Sequence, residues 1–215
     1  MSIKDRKERE KQQKHDHILN VAETIFFEKG YENATMEEIA EKAEYSKGTL
    51  YLYFKNKEEL YIFIAGRAAE LLYSILENYM NNAQTGELKL NAIKRAYLTM
   101  YSDHHDYCKI LFQMSRYAPI LQSIKENSSI QAALAQKQQK LQALIVGAIE
   151  LASREGFMPD QGPQSQEEKM ITFFAGGTIL EGIMKHVLDI EDLLKQQYKV
   201  NPLILIEAAF QLLRF

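Results

Sequence analysis

The stretch from Thr35 to Leu60 constrains the fold of this chain more than any other part of its sequence. Thr35 precedes Glu38 by three residues, which is the spacing of a helix capping box, so a helix should begin there. The apolar residues that follow recur at the i, i+3, i+4 and i+7 spacing of one helical face. They are Met36, Ile39, Ala40 and Ala43. The sequence therefore predicts a short amphipathic helix.

A second short helix is predicted directly after a break at Glu44 and Tyr45. Ser46 can cap its amino end, and Leu50 and Phe54 are four residues apart, so they can bury together. The residues of a different face are Lys47, Tyr51 and Lys55. Two short helices joined by a tight turn form a helix-turn-helix, whose second helix enters the major groove of DNA.

The exposed face of this second helix carries residue types that suit DNA. Lysine side chains contact phosphates, and hydroxyl groups contact phosphates or base edges. A lysine and tyrosine face on a short helix is usually solvated surface, but the capped turn before it and the helix start after it favour DNA binding. Gly48 has no side chain, so the helix backbone can lie close to DNA.

The segment resembles the DNA-binding domain of the TetR (tetracycline-repressor) family of bacterial transcription regulators. The residues that carry the resemblance are Ile18, Val21, Ala22, Ile25, Phe26, Lys29-Gly30-Tyr31, Thr35, Ile39-Ala40, Ala43, Ser46-Lys47-Gly48-Thr49-Leu50-Tyr51, Tyr53-Phe54 and Asn56-Lys57-Glu58-Glu59-Leu60. The sequence departs from the family pattern at Tyr45, where many members have a small aliphatic residue, and at Leu52, which is often aromatic. Either departure could alter which bases are read.

The resemblance implies which residues contact DNA, with Thr35, Tyr53 and Lys55 expected on phosphates. The predicted set is Thr35, Tyr45, Ser46, Lys47, Gly48, Thr49, Tyr51, Tyr53 and Lys55. The resemblance also implies a homodimer on a palindromic double-stranded operator, and a repressor that a small molecule releases from DNA. An interaction protein of the same fold, such as a nucleoid or division factor without an effector, is the alternative.

Composition limits the class of protein. At 215 residues the chain can form one large domain or two small ones. Its single cysteine, Cys108, excludes an internal disulfide and indicates a reducing cytoplasm. The charged residues 1–17 lack the apolar core of a signal peptide, and no apolar run approaches the roughly 18 residues of a membrane span. We therefore expect a cytoplasmic protein without membrane contact.

The charge distribution complicates DNA binding. The net charge is −3, and residues 1–68 carry nearly equal numbers of basic and acidic side chains. However, three lysines and no acidic residue lie between Tyr45 and Lys57. Residues 1–14 add a mobile basic arm that is diluted by acidic residues. Because non-specific affinity scales with the number of neutralised phosphates, we expect it to be modest here, with specificity coming from a few contacts in a dimer.

The periodicity predicts an all-α fold of about nine helices. Residues 1–55 form the three-helix DNA-binding domain with its arm at 1–14, and residues 56–215 form a helical effector and dimerisation domain. A fourth helix opens at Asn56 and continues to about Asn81. Ser165 and Glu168 form another capping box, and Asn201-Pro202 begins the terminal helix.

The last two predicted helices carry a surface for self-association. A glycine inside a helix costs about 1 kcal/mol relative to alanine, so the pair Gly176-Gly177 suggests close helix packing. The predicted interface consists of Ala175, Gly176, Leu180, Ile183, Val187, Leu203, Ile206, Phe210 and Leu213. The TetR resemblance implies the same surface, with these helices pairing into a four-helix bundle.

Aromatic and methionine side chains in the body suggest an apolar effector site. Binding pockets are mostly apolar with a few polar groups, and the family resemblance places a small molecule among these helices. The candidates are Tyr97, Met100, Tyr101, Phe112, Met114, Phe173, Phe174 and Met184. Any one of them is more often a core residue than a ligand contact, and the pattern leaves both readings open.

The sequence offers little for catalysis or metal binding. His104 and Cys108 are four residues apart, and His105, Asp106 and His186 could add ligands, but a structural metal site requires four well-placed donors. Helix-junction and core positions explain these residues more simply. No nucleophile–base–acid grouping or phosphate-binding loop is present, so we predict no metal, no cofactor and no enzymatic activity.

Overall fold

The computed structural model describes residues 3–114, 117, 120, 122, 125, 128–157 and 165–212. All regular structure within these ranges is helical, as the sequence predicts. The helices are α1 (Ile3–Asn33), α2 (Met36–Lys42), α3 (Lys47–Tyr53), α4 (Lys57–Asn81), α5 (Gly86–Asp103), α6 (His105–Gln113), α7 (Ser128–Arg154), α8 (Gln166–Leu193) and α9 (Pro202–Leu212). A π-helical turn, Leu194–Tyr198, extends α8.

The helices form two compact units. Unit 1 comprises residues 1–67 with 115–128, and unit 2 comprises residues 68–114 with 129–215. The predicted domain boundary between residues 55 and 56 coincides with the start of α4, whereas the compact units divide within that helix. The first turns of α4 belong to unit 1 because Leu60 and Ile64 are fully buried there and Tyr61 packs edge-on against Tyr31 and Phe26 of α1.

Unit 1 has an apolar core built from four helices. Its fully buried side chains include Ile18, Ala22, Ile25, Ile39, Leu50, Phe54, Leu60 and Ile64. Burial of each large side chain contributes about 1.5–3 kcal/mol. Gly30 interrupts α1 before its last turn, because its φ of 76° and ψ of 171° form a non-helical backbone conformation that favours glycine.

The basic arm, which the sequence predicts to be mobile, is helical. It forms the first part of α1, from Ile3 onward. Side-chain pairs four residues apart support this first part of the helix, since Arg6 bonds Glu10 at 2.8 Å and Gln12 bonds Asp16 at 2.9 Å. Its basic residues therefore lie along an exposed helix.

Unit 2 is organised around a larger core. Helix α9 packs against α5 and α8, and α6 packs against α8. The buried side chains at its centre include Leu76, Met80, Leu90, Ile93, Met100, Cys108, Ala148, Met184 and Phe210. One contact requires a glycine: a Cβ at Gly86 would lie 2.2 Å from the backbone N and Cα of Ala152. The Gly86 N–H also donates to Glu155 Oε2 at 2.6 Å, and this hydrogen bond joins the start of α5 to the residue that follows α7.

A buried carboxylate ties three elements of unit 2 together. Glu191 of α8 is only 4% exposed and accepts hydrogen bonds from Tyr101 Oη at 2.7 Å and Lys195 Nζ at 3.0 Å. His105 Nε2 lies 3.0 Å and Lys109 Nζ 3.3 Å from its Oε1. Burial alone would raise the pKa of the Glu191 carboxyl, but the hydrogen bonds from Tyr101 and Lys195 and the nearby His105 lower it to about 2.

The residues considered as metal ligands have other surroundings. His105 bonds Glu191, and burial, followed by the Glu191 charge, raises the pKa of the Cys108 thiol to about 12. His186 is exposed on α8. Within the described part of the chain, no group of three or more His, Cys, Asp or Glu side chains is arranged to hold a metal ion.

None of the helices in the described ranges combines the length and the apolar character that crossing a membrane requires.

Candidate nucleic-acid interface and ligand cavity

Local hydrogen bonds begin both helices of the predicted turn motif. Thr35 adopts an extended conformation and its hydroxyl accepts from the Glu38 N–H at 3.2 Å, capping α2. The Glu38 side chain pairs with Lys29 instead of completing the capping box. Ser46 caps α3 in the same way, by accepting from the Thr49 N–H at 3.1 Å. The spacing of polar residues in the sequence therefore determined both helix starts.

The turn between α2 and α3 has the geometry of a Schellman motif. The Tyr45 N–H donates to Ala40 O at 2.9 Å and the Glu44 N–H donates to Glu41 O at 3.0 Å. Glu44 occupies the left-handed position with φ of 58°, which usually takes glycine. His17 of α1 supports the turn, since its ring nitrogen lies 3.3 Å from Ala43 O and its ring meets Tyr45 edge-on. Backbone hydrogen bonds within the turn and the contacts of His17 thus stabilise its conformation.

Helix α3 buries one face and exposes the other. Leu50 is fully buried and Phe54, which ends the helix in an extended conformation, stacks on His15 with ring centroids 4.7 Å apart. Tyr51 is 48% exposed and Leu52 is 82% exposed. The helix ends at Tyr53, and Asn56 caps the next helix, α4, by accepting from the Glu59 N–H at 2.9 Å.

The predicted DNA-contacting residues all lie at or near the surface of unit 1. The exposed members are Thr35, Ser46, Lys47, Gly48, Tyr51 and Lys55. The half-buried members are Tyr45, Thr49 and Tyr53. Two hydroxyls in this set are already engaged, since Ser46 Oγ and Thr49 Oγ1 are 2.9 Å apart and share a hydrogen bond.

Two of the three lysines in the basic stretch have intramolecular partners. Lys47 Nζ lies 2.6 Å from Glu37 Oε1, and that hydrogen bond is the main cause of the lowered pKa of the Glu37 carboxyl. Lys57 Nζ donates to the carbonyls of Tyr31 and Ala34 at 2.7 and 3.0 Å and lies over the Tyr31 ring. Lys57 therefore stabilises the end of α1, and its spacing in the sequence gave no sign of this role.

Unit 2 contains a cavity of about 350 Å³ with mostly apolar walls. Its lining residues are Ala69, Leu72, Tyr97, Leu111, Phe112, Met114, Leu141, Gly177, Thr178 and Glu181. Tyr97 and Phe112 pack with ring centroids 5.7 Å apart. Burial and then the nearby Glu181 charge raise the pKa of the Tyr97 hydroxyl, so it stays a hydrogen-bond donor. Glu181 is the charged residue of the described lining.

The cavity includes three of the predicted effector residues, Tyr97, Phe112 and Met114. Met100, Tyr101 and Met184 lie in the packed core instead, where Tyr101 bonds Glu191. The side chains of Phe173 and Phe174 lie outside the described part of the structure. Leu111, Leu141 and Glu181 were not predicted; their place in the wall depends on which helices meet, and no local pattern marks it.

The predicted dimer surface needs correction at four positions. Leu180, Val187, Ile206 and Phe210 are buried inside unit 2, so they are not free to form a surface. Ala175 is exposed, Gly176, Ile183 and Leu203 are half-buried, and Leu213 lies outside the described residues. The exposed apolar residues of these elements include Ile179, Leu193, Tyr198 and Ile204. The prediction was wrong at these positions because both helices are apolar on more than one face, so the sequence does not show which face is buried.

The glycines on α8 make no contact within the chain that would require them. A Cβ at Gly176, Gly177 or Gly182 would meet no described atom within 4 Å. Gly176 and Gly182 thus leave a shallow helical surface beside the exposed Ile179, which suits the close approach of another helix.

Known proteins share the turn motif and the fold of this chain. Residues 18–62 match a family described as "Bacterial regulatory proteins, tetR family". The chain is 26% identical over 98 residues to the Fatty acid metabolism regulator protein of Bacillus subtilis (strain 168), covering 46% of this chain and 50% of that protein. It therefore matches only about half the length of this relative. It is 23% identical over 175 residues to the HTH-type transcriptional repressor BepR of Brucella suis biovar 1 (strain 1330), covering 76% and 78%.

The same fold occurs in a solved structure of a transcriptional regulator, FadR from Bacillus subtilis, in complex with stearoyl-CoA. The TM-score is 0.61 at 18% identity, and the alignment covers 92% of this chain and 96% of that chain. The matched residues 18–62 contain the capped α2–turn–α3 motif and the start of α4, and the fold extends the similarity over the remaining helices. This chain is therefore similar to the tetR family of bacterial regulatory proteins, in sequence over residues 18–62 and in fold over most of its length.

Proposed function

We propose that this chain is a homodimeric, DNA-binding transcriptional repressor that releases its operator when a hydrophobic or aromatic molecule binds. The observation that carries the proposal is α3, a capped helix that buries Leu50 and leaves Lys47 and Tyr51 exposed. A cationic and hydroxyl-bearing face on such a helix suits phosphates and base edges in the major groove. The name of BepR, a transcriptional repressor, supports repression.

Dimerisation supplies the second recognition helix. A helix-turn-helix dimer binds two half-sites separated by about one DNA turn, roughly 34–36 Å. The exposed apolar residues of α8, the π-helical turn and α9 offer a surface for the partner, with Gly176 and Gly182 permitting close helix approach. Contiguous exposed apolar surface marks interaction sites, so we assign the partner to this part of the chain.

The cavity of unit 2 is the proposed effector site. Its volume of about 350 Å³ and its aromatic walls suit a drug-sized apolar molecule. Tyr97 and Thr178 offer hydroxyl groups, and Glu181 offers a carboxylate that favours a neutral or cationic compound over an anion. FadR, which shares the fold, was solved with stearoyl-CoA, so an acyl chain belongs among the compounds to be tested.

Helix α4 connects the proposed DNA-binding unit to the proposed effector site. It contributes Leu60 and Ile64 to the core of unit 1, and Ala69 and Leu72 to the cavity wall of unit 2. A ligand that fits one conformation of α4 better than another shifts the equilibrium by its differential affinity for the two. Because such coupling is reciprocal, operator DNA should weaken effector binding by the same factor.

The DNA proposal is tested by selecting operators from random duplexes with the full-length protein. Lys47→Ala and Tyr51→Ala should each weaken binding to the selected site by about tenfold or more, with unchanged helicity and melting temperature. Lys140→Ala, an exposed lysine of unit 2, is the matched control and should bind normally. Normal affinity of both α3 variants would contradict the assigned recognition face.

A substitution at Lys55 distinguishes a phosphate contact, which positions the protein on DNA, from a base contact, which reads the sequence. Lys55→Ala should weaken binding to all sequences and reduce the salt dependence by about one ion, because a phosphate contact carries no sequence information. A loss confined to one base position, with the salt dependence intact, would show that Lys55 reads a base.

The effector proposal is tested with three probes of one chain length: decyltrimethylammonium, 1-decanol and decanoate. A probe at about a hundred times its Kd should stabilise the protein by about 2.7 kcal/mol and release operator DNA. We expect the cation and the alcohol to bind and decanoate to bind least, with Glu181→Gln removing the preference for the cation and Glu207→Gln as the control. If a broader apolar set also gives no stabilisation, the effector-free alternative is favoured.

A further inference from the structure

Leu52 is exposed in a way that the fold does not explain. At 82% exposure, it is the most exposed large apolar side chain among the described residues. Leu50, two residues earlier, already supplies the buried contact of α3. A side chain held almost entirely in water gains no free energy from burial in this fold, and on the exposed face of α3 it is available to a partner outside the chain.

The helix surface around Leu52 is apolar, and among the described residues no bulky side chain stands beside Leu52 on the turn before it. Gly48 lies four residues earlier, on the same side of the helix, and a Cβ added to it would meet only Ser46 Oγ, at 3.8 Å. Side chains on a helix lean toward its amino end, so Leu52 covers the turn that contains Gly48. The nearby hydroxyls of Ser46 and Thr49 share a hydrogen bond, and Ser46 Oγ also accepts from the Thr49 N–H. The exposed group here is therefore the Leu52 isobutyl chain.

We propose that Leu52 contacts the C5-methyl group of a thymine in each operator half-site and thereby sets a base preference. This inference rests on the proposed DNA-binding function. Among the base edges in the major groove, the thymine methyl is the apolar group, and apolar side chains contact it. The other groups there are hydrogen-bond donors and acceptors, which a leucine cannot satisfy. The missing side chain of Gly48 allows the approach.

The test removes the methyl group from the DNA and the side chain from the protein in turn. Each thymine of the selected operator is replaced by deoxyuridine, one symmetric pair at a time, and Kd is measured. At one position per half-site the wild-type protein should lose about fourfold in affinity per methyl removed, the value expected for burial of one methyl group. Replacing that thymine by 5-methylcytosine should be tolerated better than replacing it by cytosine.

The protein variants complete the cycle. Leu52→Ala should keep the wild-type melting temperature, because the side chain is exposed, and should bind deoxyuridine and thymine operators equally. Leu52→Met, which keeps an apolar chain, should retain sensitivity to the methyl group. Leu88→Ala, a half-exposed leucine of unit 2, is the matched control and should behave as wild type.

Three results would overturn the inference. One is a wild-type protein that discriminates deoxyuridine from thymine at no position. Another is a Leu52→Ala variant with the same deoxyuridine sensitivity as wild type. In both cases DNA binding itself is intact, so the proposed function survives. Selection that enriches no sequence would instead remove the proposed function and this inference together.

Discussion

Replacing Tyr101 by phenylalanine tests the buried carboxylate of unit 2. In the folded chain the Tyr101 hydroxyl donates to Glu191 Oε2 at 2.7 Å, and Glu191 is 4% exposed. Phenylalanine keeps the ring and its packing, so the substitution removes one hydrogen bond and leaves no large cavity. The remaining partners of the carboxylate are His105, Lys109 and Lys195.

The magnitude follows from the charge of the acceptor. A hydrogen bond to a charged group contributes about 1.5–3 kcal/mol, against about 0.5–1.5 kcal/mol for a neutral pair. Removing the whole ion pair would cost about 3–5 kcal/mol, but the lysines still compensate Glu191 in this variant. We expect Tyr101→Phe to lower the free energy of unfolding by about 1.5–3 kcal/mol. At roughly 2–4 °C per kcal/mol for a chain of this size, the melting temperature should fall by about 3–12 °C.

The pH dependence has a defined sign. The folded pKa of Glu191 is lowered from 4.5 to about 2, so its contribution to stability is present above the unfolded pKa and is lost as pH falls from about 4.5 toward 2. Without the Tyr101 hydroxyl the folded pKa rises toward the unfolded value. The difference in stability between wild type and variant should therefore be largest near neutral pH and shrink below about pH 4.5.

Urea unfolding followed by circular dichroism at several pH values between 3 and 7 measures the difference. The matched control is Tyr79→Phe, whose hydroxyl bonds the neutral Thr99 hydroxyl at 2.9 Å; it should lose about 0.5–1.5 kcal/mol independently of pH. Equal losses in the two variants, or a Tyr101→Phe loss that does not change with pH, would refute the reasoning.

Three further substitutions, one of them with a matched control, probe other parts of the molecule. Glu37→Gln frees Lys47 from its 2.6 Å ion pair, so operator affinity should rise and the salt dependence should steepen by about one ion per half-site; unchanged titrations at several salt concentrations would exclude this competition. Gly86→Ala should destabilise unit 2, because its Cβ would meet the Ala152 backbone at 2.2 Å. Its control is Gly147→Ala, which has open space around the new Cβ. In urea unfolding this control should be neutral or stabilising by up to about 1 kcal/mol. Gly176→Leu should split the proposed dimer in sedimentation, and a wild-type monomer at micromolar concentration would reject the interface.

Local sequence determined where the helices of this protein begin. Thr35, Ser46 and Ser165 each cap a helix at the predicted residue, and Pro202 opens the last one. These features were predictable because a cap and an apolar stripe depend on residues only three or four positions apart. The same short spacing identified the exposed Lys47 and Tyr51 surface of α3.

Tertiary structure decided the partners of the residues that those patterns left ambiguous. Glu191 meets Tyr101 from 90 positions away, and Lys57 of the basic stretch donates to carbonyls more than 20 residues earlier. Leu180 and Val187 turn inward although α8 is apolar on several faces, and Ile179 stays outside. Burial and charge pairing depend on which distant segments pack together, and helical spacing within one segment carries no information about that choice.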